Sequence, residues 1–295
     1  EAAPHFVRSG LVEEKNFPEF RSTIRQTLRM RDSFLAEGIM VAVVIFSTVF
    51  LRLEFSGSAS TWQILVSPSG STRTMAGWWH VFVSLPIFQF LMARWLWRYL
   101  IWGWLLGRIS RLDLQLIPTH PDRAAGLGFL GVAQAKFGII VLAFSSILSS
   151  HWGAEILFVG ASLTDYKAMI LGYVLLVLFV LLGPLLVFSF RLFEVKRRGL
   201  LEYGALANQY TRSFDRKWIQ GEAPEGGALI GSADSQSLAD LGKSFQIIRE
   251  MRPAPIDLWT TIVPMIAVTV VPFLPLALTV LPLDEIVMKI VGILL

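Results

Sequence analysis

The sequence predicts an all-α protein, a polytopic transmembrane helix bundle with a cytoplasmic αα-hairpin. Three observations predict this fold class: long apolar runs, a shortage of charged residues and an alternation of basic segments. The hydrocarbon core of a bilayer is about 30 Å thick, so a spanning helix needs about 20 mostly apolar residues. The apolar runs that meet this length lie at about 34–53, 77–107, 126–150, 168–190 and 256–282.

Charge is scarce and unevenly distributed along the chain. Only 16% of the residues are charged and 54% are apolar, whereas about 25% of the residues in soluble domains are charged. Cytoplasmic flanks of membrane helices collect Lys and Arg. Segments 1–33, 94–125 and 191–255 hold 6, 5 and 10 of the 26 Lys and Arg, and segments 52–77, 151–167 and 282–295 hold 2, 1 and 1. This alternation predicts five spans with the N-terminus in the cytoplasm. Because the Lys and Arg residues follow the membrane boundaries, nucleic-acid binding is a poor explanation for the basic character of the chain.

The same pattern divides the chain into four regions. We predict a cytoplasmic amphipathic segment at 1–33, four transmembrane helices within 34–190, a cytoplasmic helical hairpin at 191–255, and a proline-rich fifth transmembrane segment with an interfacial tail at 256–295. The first region does not resemble a signal peptide, because it is polar and charged. It should form a helix from about Pro18, with its basic face on an anionic membrane surface or with the helix packed on the cytoplasmic region.

The predicted hairpin consists of two amphipathic helices. Apolar residues recur every three or four positions in each half, and Asp234 and Ser235 are suited to cap the second helix before Pro253 ends it. The stripes are Leu200, Tyr203, Leu206, Tyr210, Phe214 and Trp218 in the first helix and Leu238, Leu241, Phe245, Ile248 and Met251 in the second. Matching stripes predict that the helices pair with each other or with a neighbouring subunit.

Two apolar runs leave alternatives open. The second run is too long for one simple crossing, so its helix either leaves the membrane near Arg94 and Arg98 or continues as one tilted helix to Gly107. The fifth run contains several prolines, each of which removes a backbone hydrogen bond. It is therefore either a kinked span or a broken, partly re-entrant segment. Between the first two runs, residues 56–60 and 67–72 predict a polar external loop.

Charged side chains inside the apolar runs are the main candidates for function, because intramembrane charge is costly. No acidic residue lies in the predicted helices that contain Arg94, Arg98 and Lys136. This arrangement favours an anion path or a pocket for an anionic lipid headgroup. The alternative is that both arginines snorkel to the inner interface while Lys136 faces a water-filled crevice. Glu37 is placed to pair with one of these cations or to face the cytoplasmic interface.

Polar residues at depth and in the 117–128 loop offer further candidates. Gln89 and Gln134 are expected to join helices by hydrogen bonds. His120, Asp122 and Arg123 form a cluster with acid–base potential, but the loop is better explained as a rigid turn in which Arg123 forms a salt bridge with the hairpin. The neighbouring glycines at 126, 128 and 131 are interpreted as small residues that allow close helix packing.

Composition excludes several kinds of chemistry. The chain has no cysteine, so disulfides, thiolate metal sites and iron–sulfur clusters are excluded. The four histidines are far apart in sequence, without the spacing of a metal-binding helix face. We therefore predict no metal, no cofactor and no enzymatic activity.

Three stretches resemble a family of uncharacterised bacterial membrane proteins with a THPDRAxGLGFLG-type loop. They are residues 112–131 (LDLQLIPTHPDRAAGLGFLG), 199–207 (GLLEYGALA) and 231–240 (GSADSQSLAD). The resemblance covers most of the chain from the first span onward. It implies a multi-pass protein of the bacterial inner membrane, with an apolar segment upstream of Glu1 that would bring the number of spans to six.

These observations lead to two main hypotheses of function, and an enzyme at the membrane surface that uses His120 and Asp122 is a third that ranks last. The first is a homo-oligomeric channel or transporter with an anion bias from Arg94, Arg98 and Lys136. The second is a membrane anchor or signalling scaffold that recruits a cytoplasmic protein through residues 191–255. The expected partners are the lipid bilayer, including anionic lipid, and further copies of the chain.

Overall fold

The computed structural model describes residues 2–50, 62, 64–67, 70–220 and 233–277. The α-helices are α1 (Ala2–Arg8), α2 (Phe17–Arg31), α3 (Phe34–Phe50), α4 (Met75–Trp79), α5 (Leu85–Ile109), α6 (Phe129–Ala135), α7 (Gly138–Ala154), α8 (Leu163–Leu182), α9 (Ser189–Phe214), α10 (Ala233–Arg249), α11 (Val263–Val270) and α12 (Leu274–Ala277). Turns of 3-10 helix lie at Glu14–Asn16, Gly183–Phe188 and Val271–Phe273, and π-helical turns at His80–Ser84, Glu155–Val159, Asp215–Ile219 and Leu258–Ile262. The loop expected at 56–60 and the part of the 256–295 region after residue 277 lie outside these ranges.

Within the described ranges, five helical segments are long and apolar enough to cross a membrane. They run over Glu14–Val49, Met75–Ile109, Phe129–Val159, Leu163–Ile219 and Leu258–Ala277. This finding confirms the all-α fold class, and the protein is a multi-pass membrane protein. The chain forms two compact units, one of Glu1–Phe20 with Leu106–Leu295 and one of Arg21–Leu105.

In the unit of residues 21–105, a turn at Asp32 and Ser33 separates α2 from α3, and the Ser33 hydroxyl accepts from the Ala36 N–H at 3.4 Å. Residues 64–67 and 70–73 form an antiparallel β-hairpin with register from Ile64↔Arg73 to Ser67↔Gly70. The loop expected at 67–72 is therefore partly strand. Short, Ser- and Gly-rich strands lack the alternation that identifies a strand in sequence.

The segment Met75–Ile109 is helical throughout, with a π-helical turn at His80–Ser84. Its 35 residues correspond to about 50 Å at 1.5 Å per residue. A helix tilted by about 40°, the upper end of the observed range, needs only about 26 residues to cross a core about 30 Å thick. Several residues of this helix therefore extend beyond the hydrocarbon core.

In the other unit, the third and fifth spans pack closely through small residues. A Cβ added at Gly131 would collide with Thr261 and lie 2.9 Å from the Pro255 carbonyl oxygen. Added Cβ atoms at Gly138 and Gly153 would lie 3.1 Å from Val268 and Leu276. The prediction of close helix packing therefore holds for Gly131. Residues 258–277 continue without a gap through π, α and 3-10 turns, which reconciles the prolines with a helical fifth segment.

Helices α9 and α10 pair with each other as an αα-hairpin. The Tyr210 hydroxyl donates to the Asp234 carbonyl oxygen at 3.0 Å, and a Cβ at Gly204 would lie 3.7 Å from the Phe245 ring. Asp234 lies within the first turn of α10, where its carboxylate accepts from Lys217 and from the Trp218 indole N–H. The predicted cap residue thus contacts the partner helix.

The N-terminal segment packs on residues 112–129. Val12 forms an antiparallel bridge with Leu114, and the Gln115 N–H donates to the Leu11 carbonyl oxygen at 2.9 Å. Phe6 is buried, with its ring centroid 5.1 Å from that of Phe129. The predicted helix does begin near Pro18, but the residues before it belong to this packed arm, a pairing across about 100 residues that sequence periodicity does not reveal.

Candidate functional site

A charged cleft lies in the unit of residues 21–105, where the start of the first span meets α5. Arg94 and Arg98 lie one helical turn apart on α5, and Glu37 lies in the first turn of α3. The Arg94 guanidinium is 3.5 Å from the Glu37 carboxylate. The lining residues are Arg31, Asp32, Glu37, Met40, Arg94, Trp97 and Arg98.

The acidic residues of the cleft neutralise only part of its positive charge. Arg31 binds Asp32 through two parallel hydrogen bonds of 2.8 and 2.9 Å. The 3.5 Å separation of Arg94 and Glu37 is longer than the 2.7–2.9 Å typical of a charge-assisted hydrogen bond. Three arginines and two carboxylates leave the lining with a net charge of +1. The unmatched charge expected from sequence is therefore reduced at Arg94, because Glu37 reaches it from the neighbouring helix.

Two tryptophans frame the cleft. The Trp97 indole N–H donates to the Met30 carbonyl oxygen at 3.1 Å, which fixes this ring beside the end of α2. The Arg98 guanidinium lies 5.1 Å from the centroid of the Trp95 ring, within the range of a cation–π interaction. The cleft also contains residues that were not predicted from the sequence, namely Arg31, Asp32 and Trp97. The signal that could have found them is the Arg-x-x-Trp-Arg run at 94–98 opposite an Arg-Asp pair at the start of a span.

Lys136 occupies an interruption of the third span. Helix α6 ends at Ala135 and α7 begins at Gly138, with Lys136 and Phe137 between them and the Lys136 side chain exposed. Lys136 is seven residues from the start of the segment Phe129–Val159, or about 10 Å along the helix axis. Lys136 and the arginine cleft belong to different units, and within the unit of the cleft Glu37 reaches Arg94.

Both glutamines predicted to join helices make interhelical hydrogen bonds. Gln89 accepts from the Ser47 hydroxyl at 2.8 Å, and the fully buried Gln134 donates to the Leu181 carbonyl oxygen at 2.7 Å. Leu181 lies at the C-terminal end of α8, where the helix gives way to the 3-10 turn Gly183–Phe188 and the last carbonyl groups lack α-helical donors. Gln134 satisfies one of these carbonyl groups, as the membrane interior requires.

Asp122 organises the loop between the second and third spans. Its carboxylate accepts from the backbone N–H groups of Ala124, Gly126 and Gly128 at 2.8, 3.1 and 2.8 Å. Burial opposes the charged form, but the three N–H groups outweigh it and lower the pKa of Asp122 below its ordinary value of 3.8. Gly126 and Gly128 serve this turn rather than helix packing, which corrects the expectation for these two glycines.

Ion pairs and hydrogen bonds attach the same loop to the end of the hairpin. Arg123 is 3.0 Å from Glu250, and the Arg252 N–H donates to the Arg123 carbonyl oxygen at 2.7 Å. The Arg252 side chain in turn pairs with Asp257, which caps the turn at 258–262. The predicted salt bridge of Arg123 with the hairpin region is therefore present, and it ties the loop to the fifth span.

The cluster of His120 and Asp122 has the geometry of a structural turn. The Nδ1 atom of His120 is 2.8 Å from the Asp122 carboxylate, but that carboxylate is already occupied by three N–H groups of its own loop. Most of its hydrogen bonds are therefore to the backbone of the loop. Among the described residues, no group of three or more His, Asp and Glu side chains is arranged to hold a metal ion.

Comparison with protein-family models, with curated proteins and with solved structures found no match to this chain.

Proposed function

We propose that the protein is a homo-oligomeric channel or transporter of a bacterial inner membrane that favours anions. The observation that carries this proposal is the position of Lys136, a cation in an interruption of a membrane-spanning helix. Interrupted helices in transporters form ion and substrate sites, and charged residues inside membrane-spanning segments are usually functional.

The surroundings of Lys136 support this interpretation. The third span packs against the fifth through Gly131 and Gly138, and the fifth combines π, α and 3-10 turns. Such departures from regular helix are tolerated in membranes where they are buried in protein or line a cavity, and π-helical turns are frequent at functional sites. Two imperfect helices thus meet along the stretch of the third span that contains Lys136.

Burial is consistent with self-association. Only 6%, 6% and 11% of the most apolar windows of the first, second and fourth spans are buried within one chain, compared with 33% and 28% for the third and fifth. The third and fifth spans are the more buried ones, and the other three leave apolar surface for lipid and for further copies of the chain. Anionic lipids belong to the proposed partners, because basic segments flank the spans.

The orientation proposed is that of a cytoplasmic N-terminus. The N-terminal arm contacts residues 112–129, and the 117–128 loop contacts Arg252 and Glu250. These contacts support a common side for the three basic segments, and their 21 Lys and Arg identify that side as the cytoplasm under the positive-inside tendency.

Ion flux through reconstituted liposomes tests the proposal. In a KCl gradient, we expect a reversal potential that favours chloride, and we expect Lys136→Gln to lower the anion-to-cation permeability ratio about fivefold. A unit charge about 4 Å from an ion contributes about 1 kcal/mol even in water-like surroundings. Lys167→Gln is the matched control, because Lys167 is exposed in the first turns of α8.

Two results would contradict the proposal. One is the absence of ion or solute movement by folded, reconstituted protein over background liposomes. The other is a permeability ratio in Lys136→Gln that equals that of the Lys167→Gln control, because the charge at the interruption would then have no influence on the path.

A second function, recruitment of a cytoplasmic protein, is favoured by exposed apolar side chains on the hairpin. Leu201, Leu206 and Ile219 are 67%, 50% and 70% exposed although α9 already pairs with α10. A photo-crosslinking residue at position 201 of the full chain in cells should give one discrete adduct with another protein, and the same residue at the exposed position Thr211 should not. Adducts with only lipid or this same chain would exclude recruitment.

A further inference from the structure

We propose that the arginine cleft of residues 31–98 binds the phosphate group of an anionic lipid. The inference deepens the lipid contact within the proposed function, and it depends on membrane insertion but not on ion flux. The ligand is a phosphodiester with one negative charge, and the residues that recognise it are Arg94 and Arg98 of α5 with Arg31 at the end of α2.

Charge and hydrogen-bond capacity match this ligand. Each guanidinium has five N–H donors, and Arg31 uses two of them on Asp32. Arg94 contacts Glu37 only at 3.5 Å, so its donors are not saturated by a short charge-assisted bond. The net charge of +1 on the lining equals the charge needed to neutralise one phosphodiester.

The position of the arginine cleft in the chain also fits a lipid headgroup. Arg31 and Asp32 directly precede α3, the apolar part of the first span, and Glu37 and Met40 lie in the first two turns of that helix. The cleft therefore extends from the charged end of α2 onto the apolar part of a membrane helix. Lipid phosphates lie at this boundary, and Met40 gives the cleft an apolar side on which acyl chains can pack.

The aromatic side chains hold the recognising groups in place. Trp97 is fixed by its 3.1 Å hydrogen bond to the Met30 carbonyl oxygen, and Arg98 lies over Trp95 at 5.1 Å. Restricting the cations before binding lowers the entropic cost of binding. Tryptophans are also typical of the interface between hydrocarbon and water, which agrees with the depth inferred for the phosphate.

Lipid retention by the purified full chain tests the proposal. Protein in detergent is titrated with phosphatidylglycerol, with phosphatidylcholine and with inorganic phosphate, and bound lipid is counted by native mass spectrometry. We expect saturable binding of one phosphatidylglycerol per chain, at least about fivefold tighter than phosphatidylcholine. Inorganic phosphate should neither bind at comparable concentration nor displace the lipid.

Three variants make the test specific. Arg98→Gln should weaken phosphatidylglycerol binding about fivefold, because it removes one cation next to the phosphate. Glu37→Gln should strengthen it, because the net charge of the lining rises to +2. Arg25→Gln is the matched control: Arg25 is exposed on α2 but does not line the cleft, and its affinity should equal that of the unaltered chain.

Several outcomes would overturn the proposal. Equal retention of both lipids, or equal losses in Arg98→Gln and Arg25→Gln, would mean a diffuse surface attraction without a site. Phosphate binding as tight as lipid binding would make the cleft a site for free anions. An unchanged affinity of Glu37→Gln for phosphatidylglycerol would mean that the net charge of the lining does not determine lipid binding. Because flux is a separate measurement, a lipid site can fail while the transport proposal stands, and the reverse also holds.

Discussion

Asp122 shows how a single carboxylate stabilises an unusual backbone. Arg123 and Ala125 have φ values of 55° and 53°, in the left-handed region that non-glycine residues rarely adopt. Such conformations cost about 1 kcal/mol or more each. The three N–H groups bound by Asp122 belong to this same stretch, so the carboxylate offsets the strain and keeps the loop in one conformation.

We expect Asp122→Asn to destabilise the protein by about 2 kcal/mol at neutral pH, the typical contribution of hydrogen bonds to a charged group. Folding lowers the pKa of Asp122. Its contribution is therefore complete above the unfolded-state pKa of about 3.9 and is lost as the pH falls through the lower folded-state pKa.

Thermal unfolding in detergent at pH 7 and at pH 3.5 measures this effect. The difference in unfolding midpoint between the original chain and Asp122→Asn should be large at pH 7 and smaller at pH 3.5. A difference that does not change with pH would show that the ionised carboxylate is not the stabilising species.

Gln134 gives a second prediction for a single residue. Gln134→Leu removes the donor to the Leu181 carbonyl oxygen, and this carbonyl at the C-terminal end of α8 loses that hydrogen bond. We expect a loss of about 1 kcal/mol, given measured values for hydrogen bonds within membrane proteins. Unfolding midpoints would show this loss, with Val132→Leu as control because Val132 is exposed on the same helix. Equal stability of the two variants would contradict this role.

The roles of some of these residues were predictable from the sequence, and those of others were not. The positions of Gln134 and Arg123 within their segments were enough to predict a helix-joining amide and a salt bridge. The pairing of Arg94 with Glu37 was one of several alternatives, because it depends on how two helices are aligned. Arg31 and Trp97 were missed for the same reason: a contact between α2 and α5 is set by packing and leaves no periodic signal.

At the scale of elements, glycine positions decide where helices approach each other. Gly199 lies in α9 opposite both the 117–128 loop and α10, and a Cβ there would lie 2.8 Å from Pro118 Cβ and 3.2 Å from Ile248 Cγ2. Gly204, little more than one turn later, has only the Phe245 ring at 3.7 Å. The same helix thus contains one glycine required by packing and one that packing does not require.

Alanine at these two glycines should have opposite effects. We expect Gly199→Ala to destabilise the protein by about 1–2 kcal/mol through overpacking, and Gly204→Ala to stabilise it by up to about 1 kcal/mol through helix propensity. Unfolding midpoints of the two variants provide the comparison. If Gly199→Ala were as stable as Gly204→Ala, the close approach of α9 to Pro118 would be wrong.

The elements differ in how well their sequences predicted them. Long apolar runs and the stripes of α9 and α10 have strong periodic signals, and these helices are present, with Ile248 and Met251 buried. The β-hairpin at 64–73 and helix α1 were missed, because short elements carry too few residues for a pattern. The fifth segment is helical despite Pro264, Pro272 and Pro275, since α, π and 3-10 turns alternate around them.

At the scale of the whole molecule, contacts between distant segments restrict how the chain crosses the membrane. The N-terminal arm contacts residues 112–129, and the backbone N–H of Arg252 donates to the Arg123 carbonyl oxygen at 2.7 Å. Segments that touch outside the spans lie on one side of the membrane. The stretches between them must therefore cross an even number of times, which agrees with two apolar runs in each.

Single cysteines test this arrangement, because the natural chain has none. We expect Ser9→Cys and Ser237→Cys to be labelled by a membrane-impermeant maleimide only after the cytoplasmic side is opened. Thr164→Cys, between the third and fourth spans, should be labelled in intact cells or spheroplasts. All three residues are exposed. Labelling of positions 9 and 237 from different sides would contradict the arrangement.

The bridge between Val12 and Leu114 also sets a schedule for biosynthesis. At about 5–20 residues per second, the strand that receives the N-terminal arm leaves the ribosome about 5–20 seconds after the arm itself. During that interval the surface on which Phe6, Leu11 and Val12 dock has not yet been synthesised. The first two apolar spans are made before it. The N-terminal arm therefore docks late in biosynthesis, after the first two membrane spans have been synthesised.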